Sequence, residues 1–178
     1  LYQKAQREVS IQAELLMQTM NSLRVYTQDE VNPLLKPKLE TALEFIPEAI
    51  PTFSVKKVSH KLKETHAYKD FDYKDATLNP TNLDDKANEF ETKLVEEFRS
   101  HPGLKEKTGF HTTPSGKKFY TARPFIVKEQ GCLECHSRPE IAPQSLLNTY
   151  GRENGFGWKL GDIVAAQIVY VPSEEVFQ

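Results

Sequence analysis

Residues 1–31 contain neither glycine nor proline, and this stretch limits the fold more than any other. Val9, Leu16, Met20 and Leu23, with Ala5 and Ala13 more loosely, recur at helical spacing, while Arg7, Glu8, Gln12, Glu14 and Gln18 fall elsewhere. A helix of this length runs ~45 Å, against the ~30 Å width of a small domain. It must therefore lie along the body of the protein or project from it. Pro33 and Pro37 are expected to end it.

The remainder of the chain divides in two. Residues 38–52 hold Pro47 and Pro51 and read as a broken helix or loop. Residues 53–66 read as a helix with Val55, Val58 and Leu62 on one face. Residues 84–100 read as another, with Asp84 and Asp85 in its first turn and an apolar stripe of Ala87, Phe90, Leu94, Val95 and Phe98. His-Pro-Gly at 101–103 stops it. The period then changes. Residues 108–127 read as two strands around a Pro-Ser-Gly turn, residues 162–172 as a buried Ile/Val-rich strand, and residues 71–78 as a weaker one. Residues 151–161 carry Gly151, Gly155, Gly157 and Gly161 and read as a loop. A long helix, more helices and then antiparallel strands predict an α+β domain with helices flanking a sheet.

The chain has 178 residues, enough for one domain, 1–178. Hydrophobic residues at 38% and charged residues at 27% are a soluble globular balance. A formal net charge of −2 offers no basic surface for nucleic acid. No stretch approaches the ~20 apolar residues of a membrane span. The chain opens on Leu1, as expected of a processed chain or a piece of a longer one.

Both cysteines of the chain sit in Gly-Cys-Leu-Glu-Cys-His, residues 131–136. Cys132, Cys135 and His136 fit C-x-x-C-H, the attachment signature of c-type haem. On a helical turn these positions share a face. Two thiols there can add to the two haem vinyl groups, and the imidazole then points at the iron as proximal ligand. Chance placement of two cysteines and five histidines in this order has odds of about one in 3,000. Two other chemistries use similar spacing. A thioredoxin-like pair normally follows a strand in a βαβ unit, and the sheet expected here is antiparallel. A zinc site needs a fourth ligand, and no second C-x-x-C or H-x₃₋₅-H pair is present.

With this motif in place, the chain resembles the single-c-haem, PAS-like sensory domains on the extracytoplasmic side of bacterial, especially cyanobacterial, signalling proteins. The matching stretches are residues 74–82 (KDATLNPTN), 119–127 (FYTARPFIV), 132–140 (CLECHSRPE) and 163–172 (IVAAQIVYVP). Together they span roughly residues 20–175. The resemblance implies a PAS-like antiparallel sheet with flanking helices and one covalent haem c. It also implies a redox- or diatomic-gas-sensing role, an extracytoplasmic or periplasmic location, membrane segments at either end of the native protein, and no enzymatic activity. The N-terminal helix would emerge from a first span, and residues 171–178 would lead back to the membrane. A kinase, cyclase or chemoreceptor would receive the signal, and the N-terminal helix would pair with a second copy. The alternative is a soluble periplasmic electron-transfer haem protein. A haem enzyme is the third reading.

Some relatives carry an upstream cysteine as second axial ligand, and this chain has no third cysteine. His60 lies near the corresponding place and is the protein side chain expected there. It sits among Lys56, Lys57, Lys61 and Lys63, as a solvated residue would. His66, His101, His111, Met17 and Met20 are further candidates, and an open or water-ligated iron is the other outcome. Phe125 and Trp158, with Phe119, Tyr120 and Ile126, are expected to wall the haem, although any sheet core would use the same residues. Arg123 and Arg138 are expected to pair with its propionates.

Overall fold

The computed structural model describes residues 2–173. The expected exit segment therefore lies, from residue 174 onward, outside the described residues. Helix α1 (Tyr2–Tyr26) is followed by a single π-helical turn at Thr27–Val31 and then by α2 (Asn32–Thr41). The prolines do not end the first helical run, contrary to expectation. The Asn32 N–H reaches back five residues to the Thr27 carbonyl, and this wider turn resets the chain before Pro33. Pro33 then falls in the first turn of α2, where a missing N–H costs nothing. Pro37 is accommodated inside α2, which stops only where Ala42 turns extended.

Helix α3 (Pro51–Glu64) precedes strand β1 (Asp72–Thr77). Helix α4 (Glu89–Ser100) starts five residues later than the sequence suggests. Asp84 and Asp85 occupy a separate 3₁₀ turn, Leu83–Asp85. The true start is a capping box. The Asn88 side chain accepts from the Glu91 N–H, and the Glu91 carboxylate accepts from the Asn88 N–H. Strands β2 (Lys107–Thr113) and β3 (Gly116–Ile126) form the expected hairpin. Short helices α5 (Gln130–His136) and α6 (Gln144–Tyr150) follow, and β4 (Ile163–Pro172) closes the fold.

The sheet is antiparallel throughout, in the order β1-β4-β3-β2. The last strand is thus central, which explains its apolar run, interrupted by Gln167: both of its faces are covered. One face carries Phe119, Val169 and Val171 against Val9, Ala13 and Met17 of α1. The other carries Tyr120, Ala122, Ile168 and Tyr170 against Leu94, Val95 and Phe98 of α4. The long helix therefore lies along the sheet. Met17 and Met20 are buried on its inner face. The α+β class expected from the sequence is the one observed. At the far end of the sheet, Val127, Val164 and Ala165 form a third apolar cluster, with Phe125, Cys132, Leu133 and Trp158 packed on it.

Candidate functional site

Cys132 and Cys135 lie on one turn of α5 as free, half-buried thiols. Burial raises the pKa of both: that of Cys132 moves up, and that of Cys135 reaches about 11. A redox dithiol or catalytic thiolate requires the opposite shift. Among the described residues, no three His, Cys, Asp or Glu side chains converge as a metal cluster.

His136 ends α5. Its Nδ1 lies 2.8 Å from the Gly155 carbonyl. A carbonyl only accepts, so Nδ1 carries the proton and Nε2 keeps its lone pair. This is how a metal-binding imidazole is held in the correct tautomer. The ring also stacks on Trp158, with centroids 4.0 Å apart and planes 13° from parallel. Burial lowers the imidazole pKa, and the Gly155 carbonyl only partly opposes that shift.

The glycine-rich loop completes the helix. The last carbonyls of a helix have no partner within it. Here the Trp158 N–H donates to the His136 carbonyl at 3.1 Å, and the Gly157 N–H to the Ser137 carbonyl at 2.9 Å. The loop is itself held by the segment after β1. Asn79 Oδ1 accepts from the Gly155 N–H at 3.2 Å, and Asn79 Nδ2 donates to the Phe156 carbonyl at 3.3 Å. Gly155 is required twice over. Its φ is +83°, and a Cβ there would lie 2.1 Å from Thr81 Oγ1 and 2.9 Å from the Thr81 backbone. The Asn-Pro segment and the glycine loop thus form one cradle whose product is the orientation of His136.

Phe125 and Trp158 reach the attachment segment as expected, packing on the same cluster as Cys132. Arg138 is exposed, two residues beyond His136. Arg123 is held between Glu14 of α1 and Glu106, with contacts of 2.8 Å to each, so it ties the long helix to the sheet. His60 is exposed on α3. It lines a separate polar cavity of about 480 Å³ at the sheet edge, together with Lys56, Asp84, Asp85, Glu91 and His111; none of Cys132, Cys135 or His136 lines that space. His111 stacks on Phe90, with centroids 3.7 Å apart.

Arg24 is the residue that the sequence did not single out. It lies at 8% exposure near the end of α1. Its guanidinium donates to Thr52 Oγ1 at 3.0 Å and to the Tyr73 hydroxyl at 3.1 Å, pairs with Asp75, and rests 5.2 Å from the centre of the Phe125 ring. An arginine in an amphipathic helix ordinarily reads as surface, so nothing local flagged it.

These elements define a class: an antiparallel α+β domain whose far end presents two thiols and a tautomer-fixed histidine against an apolar wall. The model of the Tll0287-like family (Tll0287) matches residues 2–172, and the chain belongs to that family. In three dimensions it is similar to the crystal structure of the cyanobacterial heme-protein Tll0287, with a TM-score of 0.65. That match has 16% sequence identity and covers 93% of this chain and 95% of the other, which shows a shared fold. No curated protein matches the chain.

Proposed function

We propose that this domain carries one covalent haem c and senses redox state or a diatomic gas for a membrane-linked signalling protein. The observation that supports this most is the Nδ1–H···O=C bond from His136 to Gly155, beside two free thiols on the same helical turn. A histidine held this way leaves Nε2 free to bind a metal. Cys132 and Cys135 would hold the group as thioethers, His136 would ligate the iron, and Phe125 and Trp158 would face the ring. The group supplies an iron that changes oxidation state or takes a small ligand; the protein sets which of the two by what it places opposite His136. The solved structure the chain is similar to, Tll0287, is that of a heme-protein, which agrees with this reading.

The sensing role rests on the resemblance and on the contact between α1 and the site. Arg24 joins that helix to Phe125, so a change in packing at the attachment segment reaches a ~37 Å rod directly. We further propose an extracytoplasmic location, since covalent haem attachment takes place there in bacteria, and no enzymatic activity. Among the described residues no helix is long and apolar enough to cross a membrane, so tethering would come from other segments of a longer protein. The test is the absorption spectrum of reduced, haem-loaded protein before and after carbon monoxide. A shifted Soret band indicates an open or weakly held sixth position and gas sensing. An unchanged spectrum indicates a strong protein ligand and argues for redox sensing or electron transfer.

A further inference from the structure

Arg24 has one feature its known contacts leave unexplained. Nη1 is used by Thr52, and Nη2 by Tyr73 and Asp75, while Nε is buried with no partner. A buried N–H without an acceptor is a standing penalty that native structures rarely keep. Its position is specific. The guanidinium lies over Phe125, and Phe125 packs on the cluster that also holds Cys132, Leu133 and Trp158. Burial is the main influence raising the Cys132 thiol pKa, and Arg24 is close enough to act in the opposite direction. The guanidinium that carries the orphan donor therefore borders the apolar wall that would receive the haem.

We propose that Arg24 is a binding residue for the haem, donating from Nε–H to one of its carboxylates. This rests on the haem reading above. The cluster is built for such a contact. Asp75 pairs with Nη2 and accepts from the Tyr73 hydroxyl at 2.8 Å, which fixes the guanidinium plane before any ligand arrives. Asp75 also balances the buried charge, so the contact is a charge-assisted hydrogen bond and not a full ion pair. Arg123 is occupied by Glu14 and Glu106, and Arg138 is exposed to water. Of the three arginines, Arg24 is the desolvated one and the one shown to have a spare buried donor. Its partners Thr52, Tyr73 and Asp75 also line the polar cavity at the sheet edge.

The contact is tested with haemin and haemin dimethyl ester, titrated onto the full chain produced without haem-attachment machinery and followed at the Soret band. Esterification is expected to weaken binding to the unaltered chain about tenfold, the worth of one hydrogen bond to a charged group. The double variant R24Q/D75N, which removes both charges together, is expected to reduce that penalty to within about twofold, while R138Q retains it. Should R24Q/D75N lose its far-ultraviolet circular dichroism, R24K serves instead: its single ammonium can keep the charge pair with Asp75, while the Nε donor is lost together with the planar fork, and it too should lose the penalty. A penalty that persists in the Arg24 variants, or haemin binding to the unaltered chain with no ester penalty, overturns the assignment. Failure of the haem reading looks different: unaltered chain made with the attachment machinery would carry no covalent haem at all.

Discussion

Two histidines of this chain, His136 and His60, both looked like iron ligands, and the fold treats them in opposite ways. His136 is half-buried, stacked on an indole and fixed at Nδ1 by a backbone carbonyl. His60 stands exposed on α3, over a polar cavity lined by lysines and carboxylates. The difference lies in what the second nitrogen meets. A ring whose one nitrogen is committed to a carbonyl offers the other in a defined direction; a solvated ring offers neither. The orientation of His136 is set by the loop at 151–161 and the Asn79–Thr81 segment, about fifteen to sixty residues away in sequence.

The comparison is most sharply broken at His136 itself. His136→Ala should abolish the sharp reduced-state absorption of histidine-ligated haem, while His60→Ala should leave it unchanged; reduced spectra of the two holoproteins decide this. The cradle comes next. Gly155→Ala should destabilise the fold by about 2–3 kcal/mol, combining left-handed strain with displacement of Thr81. Gly157→Ala has the same φ of +83° but meets nothing within 4 Å, and should cost about 1 kcal/mol. Urea unfolding of both variants separates the Thr81 contact from backbone strain alone.

A smaller effect follows from protonation in the haem-free chain. Burial lowers the folded-state pKa of His136, so the unfolded chain takes up its proton first, near the ordinary value of about 6.5. The stability gained from a neutral His136 is therefore present in full above pH ~6.5 and is lost as pH falls through and below it. The Asn and Gln replacements of His136 should flatten that part of the profile, measured as urea midpoints across pH. The smallest effect belongs to His60: with an exposed side chain, His60→Ala should change stability by no more than about 0.5 kcal/mol.

These contrasts also mark how far the sequence could be read. The attachment motif was legible because its chemistry needs residues at fixed local spacing. The α+β class, the hairpin and the central strand were legible because apolar period is local too. The end of the first helix was misread: a proline is a stop signal only if the chain has no means of resetting before it, and the π turn at Thr27–Val31 provides that means. The start of α4 was misread because two aspartates outweighed the Asn88–Glu91 box, whose signature was present. Arg24 could not be read at all. Its burial depends on Tyr73 and Asp75, and its neighbour Phe125 lies about a hundred residues on. The role of Gly155 was half visible: four glycines indicated a loop, while the Thr81 approach that demands one of them exists only in three dimensions.

The central claim is that Cys132, Cys135 and His136 hold one covalent haem c. Its most direct test is the intact mass and pyridine haemochrome spectrum of the chain produced together with a haem-attachment system and then denatured. The account predicts a mass increased by one haem, retained through acid–acetone extraction, with a c-type α band, all of which Cys132→Ser/Cys135→Ser removes. An unmodified mass, in cells that mature a control c-type cytochrome normally, would contradict it.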